Sequence, residues 1–165
     1  MSDTDAAALA ELMAPQAPLP EDETDAVAKA HRAPGCDVLI ADDAGASREL
    51  LSAILRNFAG PLDIREARNG QDAVQLWQQL RPRITLLDID MPGLDGLAAL
   101  QQLRTIDPDA FVAMVSGSSS IDNVKQALAL GAAGFVIKPY KPKRIVDLLQ
   151  RYQDRTGHAL MQGPI

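Results

Sequence analysis

Cysteine is nearly absent from this sequence. Cys36 is the only one, which excludes a disulfide within the chain and any zinc site built on cysteine pairs. Long apolar runs are missing too. The longest, Ala110 to Val115, has six residues, against the roughly 20 that a membrane-spanning helix needs. The acidic start has no lysine or arginine before Lys29, unlike a secretory signal. A cytoplasmic protein that does not enter membranes is expected.

Basic charge is scarce as well. The net charge is -6. Through Gly35, seven acids (Asp3, Asp5, Glu11, Glu21, Asp22, Glu23 and Asp25) face only Lys29 and Arg32, a net of minus five, which leaves minus one for the rest. A nearly neutral domain with an acidic head argues against sequence-nonspecific binding to nucleic acid or to an anionic membrane surface. That head has no aromatic residue and carries prolines at 15, 18, 20 and 34, so it has little with which to offset the entropy of ordering. Residues 1–35 therefore read as an Ala/Pro-rich extension, 36–153 as the folded domain and 154–165 as a tail. Short helices are possible at Thr4 to Met13 and at Thr24 to Arg32.

The remainder has globular composition, 47% apolar and 23% charged, in a chain of 165 residues, enough for about one domain. From Asp37 onward, short apolar runs alternate with segments of helical period. The runs are Val38 to Ala41, Leu62 to Glu66, Ile84 to Leu87, Phe111 to Val115 and Gly134 to Ile137. Helical patterns cover Ser47 to Phe58, Gln71 to Leu80, Gly96 to Ile106, Ile121 to Leu130 and Lys143 to Tyr152. Asn69, Asp95 and the Ser118 to Ser120 run are candidate caps, and Gly60-Pro61, Arg81-Pro82, Asp107-Pro108 and Gly131 are stop signals. This alternation predicts an α/β fold, a doubly wound parallel sheet of five strands flanked by five helices.

In such a fold the C-terminal strand ends share one edge, where ligands bind. At those ends stand Asp42 and Asp43, then Asp88 followed by Asp90, then Ser116, then Lys138. Clustered carboxylates repel one another unless a cation joins them. Oxygen ligands suit Mg²⁺. One aspartate can then attack phosphorus to form an acyl phosphate, with Lys138 and the Ser116 hydroxyl stabilising the phosphoryl oxygens.

The stretches "LIADD" at 39–43, "NG" at 69–70, "LLDIDMPGLDGL" at 86–97, "MVSG" at 114–117 and "GFVIKPY" at 134–140 resemble the receiver domain of two-component response regulators over Asp37 to about Arg151. The resemblance implies a flavodoxin-like strand order, 2-1-3-4-5. It implies that Asp88 is the phosphoacceptor, that Asp42, Asp43 and Asp88 bind Mg²⁺, and that the Asp90 backbone carbonyl completes the metal shell. It further implies that Ser116 moves onto the phosphoryl group, that the Lys138–Pro139 bond is cis, and that Phe135 is the switch aromatic. The affected face would be the fourth helix, fifth strand and fifth helix.

Departures from the family pattern are Ala44 and Arg83, where acids are common. The side chains of Asp90 and Ser118 are expected along the route of the attacking water, where they would set the lifetime of the acyl phosphate. Trp77 and Tyr140 read as packing and rim residues, Arg68, Arg81 and Arg83 as a solvated face, and His31 and His158 as tail residues without partners.

A stand-alone regulator without an output domain is expected. It would receive phosphate from a histidine kinase or histidine phosphotransfer protein and act by protein docking, as a monomer or weak dimer, and not as a turnover enzyme. Two alternatives stay open: a receiver-like module that binds without being phosphorylated, and a phosphatase of the haloacid dehalogenase type. Asp88-Ile89-Asp90 fits the opening of that second motif, but Pro92 stands where Thr or Val is expected.

Overall fold

The computed structural model describes residues 35–117 and 120–160. Ten elements follow one another: β1 (Val38–Ala41), α1 (Gly45–Ala59), β2 (Ile64–Ala67), α2 (Gly70–Leu80), β3 (Ile84–Asp88), α3 (Gly96–Ile106), β4 (Val112–Ser116), α4 (Ile121–Ala129), β5 (Gly134–Ile137) and α5 (Pro142–Thr156). All strand pairs are parallel and the order is β2-β1-β3-β4-β5, as the resemblance implied. The expected helices at Thr4 to Met13 and Thr24 to Arg32, and the expectations for His31 and Ser118, lie outside the described residues.

Side chains on a strand alternate between faces, and that alternation sorts the core into two layers. Val38, Ile40, Ile84, Leu86, Ala113 and Val115 pack under α1 and α5, against Leu51, Leu55, Ile145 and Leu149. Leu39, Leu87, Val112 and Met114 pack on the other side, against Ala73 and Trp77 of α2, Leu100 and Leu103 of α3 and Ala127 of α4. The central strands β1, β3 and β4 are buried along their whole lengths, which is why they read as continuous apolar runs.

Helix starts follow the expected caps. Asn69 Oδ1 accepts from the Asp72 amide at 2.8 Å and Asp95 Oδ1 from the Ala98 amide at 2.8 Å, while Ser120 Oγ accepts from Asn123 at 3.5 Å. Each satisfies an amide that the first helical turn leaves unpaired.

Several boundaries differ from the sequence expectation by one or two residues and the end of α5 by four, and at β2 and α5 the packing shows why. β2 begins at Ile64, not Leu62, because the Asp63 carbonyl already takes the amides of Asp37 and Val38. It is an edge strand whose middle residues, Arg65 and Glu66, are exposed, so its apolar signal is weak. α5 runs to Thr156, four residues past its expected end. Tyr152 is buried there with its ring edge-on to Phe111 at 5.3 Å, and Gly157 closes the helix at φ 77°, a left-handed conformation that glycine adopts without cost.

The expected solvated arginine face is also corrected. Arg68 is exposed, but Arg81 lies 4.6 Å from the Trp77 ring centre and Arg83 pairs with Asp37 at 3.4 Å.

Thr85 of β3 is fully buried, and its hydroxyl finds no hydrogen-bond partner among the described residues. A buried donor left unmade is costly. Thr85→Val keeps the shape and removes the hydroxyl, so it should raise the unfolding free energy by about 1 kcal/mol. Denaturant unfolding checks this; a less stable Val variant would refute it.

Candidate functional site

Two strand ends bring three acids to one edge of the sheet. Asp42 follows β1 and is 2% exposed, Asp88 closes β3 and is 3% exposed, and Asp43 is exposed. One carboxylate oxygen from each lies within 4.8 Å of the others. From the far side of β4, the residue after β5 completes the cluster: Lys138 Nζ lies 2.8 Å from Asp42 Oδ2 and 3.1 Å from Asp88 Oδ2. The Lys138–Pro139 bond is cis.

The remaining oxygens are held locally. Asp42 Oδ1 accepts from the Ala44 amide at 2.9 Å, at the entrance to α1, which has no side-chain cap of its own. Asp88 Oδ1 accepts from the Asp90 amide at 3.3 Å. Arg48, one turn into α1, donates to the Asp42 carbonyl at 2.7 Å and lies 3.8 Å from Glu66.

The two buried carboxylates are electrostatically unequal. Burial pushes Asp42 up, but hydrogen bonds from Lys138 and the Ala44 amide, the neighbouring Ser47 hydroxyl and the lysine charge bring it below the ordinary carboxylate value. Burial raises Asp88, and although Lys138 pulls it down, the Asp42 charge adds to the rise and Asp88 stays above its ordinary value. Lys138 is disfavoured as a cation by burial, yet its two acid partners outweigh that and hold it firmly protonated. The lysine is a cation shared between two acids, and Asp42 takes the larger part of it.

Ser116 is fully buried at the end of β4, where its carbonyl accepts from the Lys138 amide at 2.8 Å. By strand parity its side chain belongs with Val112 and Met114, on the α2–α4 side of the sheet. Phe135 is half-buried against that same layer. Asp90 is exposed, and so is His158.

Tyr140 is a correction, for it is more than a rim residue. Its hydroxyl lies 2.7 Å from Ser47 Oγ and 3.5 Å from Asp42 Oδ2. Burial raises its pKa, more than the Ser47 hydrogen bond and the Lys138 charge lower it, so it stays a neutral donor. Its place two residues after Lys138 was the available signal; nothing in the sequence linked it to Ser47.

Asp42, Asp43 and Asp88 offer only oxygen donors, and two of them are buried beside each other. Such a set fits a hard divalent cation, which relieves the carboxylate repulsion as no neutral ligand would.

The response regulator receiver domain family matches residues 38–150. Among curated proteins the chain is similar to the chemotaxis protein CheY of Thermotoga maritima, 37% identical over 117 residues that span 71% of this chain and 97% of that protein. Among solved structures it is similar to the receiver domain of NtrX from Brucella abortus, with a TM-score of 0.67 and 32% identity over 73% of this chain and all of that one. A chain of the CheX–CheY–BeF3–Mg²⁺ complex from Borrelia burgdorferi gives a TM-score of 0.65 and 30% identity, over 72% of this chain and 87% of that one. No helix among the described residues is long and apolar enough to cross a membrane.

Proposed function

The chain belongs to the response regulator receiver domain family of two-component signalling, and on that premise we propose that it accepts a phosphoryl group on Asp88 and signals by docking on a target protein. The observation that carries this reading is the cluster itself: three carboxylates within 4.8 Å, two of them bridged by one lysine.

Asp42, Asp43, Asp88 and the Asp90 backbone carbonyl would hold Mg²⁺. The ion, when bound, supplies charge neutralisation to the phosphoryl oxygens. Phosphate comes from a phosphohistidine on a histidine kinase or phosphotransfer protein. An Asp88 carboxylate oxygen attacks phosphorus and forms the new O–P bond. The N–P bond breaks, and its electron pair stays on the imidazole nitrogen, which takes up a proton. Asp88 is apt for this because it is buried on a rigid central strand and its charge is not fully quenched. Lys138 turns its ammonium group from the acids to the phosphoryl oxygens, and the Ser116 hydroxyl donates to one of them. Phe135, beneath Ser116 on the same side of the sheet, repacks when that hydroxyl moves.

The readout face is that of α4, β5 and α5. On it Ile121, Leu128 and Ile137 are 70%, 55% and 45% exposed, apolar side chains that a partner protein would cover.

The test is intact mass after incubation with Mg²⁺ and a small phosphodonor such as acetyl phosphate. The wild type should gain one phosphoryl group, and neither Asp88→Ala nor wild type treated with a chelator should gain any. Labelling of both proteins, or of neither, overturns the reading.

A further inference from the structure

Asp42 makes the tightest demands on its surroundings, since it is nearly fully buried and is anchored by three donors from two parts of the chain, the entrance to α1 and the β5–α5 loop. Of these, the Ala44 amide is fixed backbone. Lys138 is a flexible cation already shared with Asp88, and its side chain is 26% exposed. The third is the Tyr140 hydroxyl, on a rigid ring and tied at 2.7 Å to Ser47 of α1.

Proton bookkeeping orients this third donor. A phenol has one proton, and an ionised carboxylate only accepts. Tyr140 therefore donates to Asp42 Oδ2, and Ser47 donates to Tyr140. The relay runs from α1 through the β5–α5 loop to Asp42, across 93 and then 98 residues of sequence.

We propose that Tyr140 and Ser47 are positioning residues of the metal site: together they fix the plane of the Asp42 carboxylate, so that it keeps its orientation when Lys138 leaves it for the phosphoryl group. This rests on the reading of the acidic cluster as a Mg²⁺ site. A residue that holds a ligand acts on metal affinity without touching the metal.

The experiment is calorimetric titration of Mg²⁺ into the full chain, without phosphodonor, for wild type, Tyr140→Phe, Ser47→Ala, Ser47→Thr and the double variant Tyr140→Phe/Ser47→Ala. Because the Tyr140–Asp42 contact is long, Tyr140→Phe should weaken Mg²⁺ binding by about tenfold, the low end for a residue that holds a metal ligand in place. Ser47→Ala should weaken it comparably. The double variant should be no weaker than Tyr140→Phe, since both substitutions cut the same relay, and Ser47→Thr, which keeps the hydroxyl, should match wild type.

Metal-free melting temperatures close to wild type, with that pattern of affinities, support positioning. Wild-type affinity in Tyr140→Phe overturns it, as does a loss in the double variant equal to the product of the single losses, or a loss of affinity matched by a loss of metal-free stability. A wild type that binds no Mg²⁺ overturns the metal-site reading itself, and this inference with it.

Discussion

Lys138→Ala is expected to destabilise the metal-free protein severely, and to make it far more responsive to Mg²⁺. The lysine lies 2.8 and 3.1 Å from two carboxylates that are 2% and 3% exposed. Removing it leaves two buried acids side by side with no cation between them, a change that costs about 3 kcal/mol when a buried ion pair loses one partner. In a domain of this size that lowers the melting temperature by roughly 10 °C. Mg²⁺ should then recover most of the loss, and the variant's gain should exceed the wild type's, where the ion must first displace the ammonium group from Asp42.

The pH course carries the same signature. In the wild type Asp42 is depressed, so its contribution is complete at neutral pH and is lost as acid protonates it. Asp88 is raised, so it costs stability as pH rises through its folded value. Without Lys138 burial dominates both acids, and mild acidification should stabilise the metal-free variant. Thermal denaturation with and without Mg²⁺, repeated across the acid range, measures all of this. A Lys138→Ala protein that melts like wild type without metal would show that the buried acids do not depend on the lysine.

Gly96→Ala should be equally severe for a different reason. A Cβ at Gly96 would stand 2.1 Å from the Asp88 carbonyl oxygen, 2.7 Å from its carbon and 2.8 Å from Ile89 Cα. All three are backbone atoms, so no side chain can swing aside. The Gly96 amide also donates to the Ile89 carbonyl at 3.0 Å, which clamps the start of α3 to the end of β3. Relief must move one of them, and the strand end carries Asp88.

We expect destabilisation of about 3 kcal/mol, the upper range for overpacking, together with loss of Mg²⁺ binding and of phosphoryl uptake. Alanine is the better helix former, so any loss understates the clash. Gly117→Ala is the control, since nothing lies within 4 Å of its Cβ position, and it should fall within about 0.5 kcal/mol of wild type. Denaturant unfolding of the two variants decides the matter. A Gly96→Ala protein as stable as the control would remove the clamp from the account.

Much of this site could be read from the chain because a parallel sheet leaves little freedom. Five apolar runs separated by helical patterns predict strands wound one way, and winding one way brings every C-terminal strand end to one edge. Asp42, Asp88 and Lys138 needed only to stand at those ends. The runs at β1, β3 and β4 were plain because both faces are buried there. β2 was misplaced by two residues because, at the sheet edge, its residues answer to Asp37 and to solvent and not to a core.

Residue types and their order along the chain thus determined the fold class, the edge on which the chemistry lies and the acids that gather there. Only the tertiary structure decided which of them share a proton or a cation: that Lys138 bridges two acids, that Tyr140 and Ser47 join across 93 residues, that Arg83 seeks Asp37 and that Gly96 has no room for a methyl group. Local sequence governs backbone propensity and the period of the apolar pattern. Contacts a few ångströms long between residues distant in the chain depend on how the packed layers meet, and no local pattern encodes that.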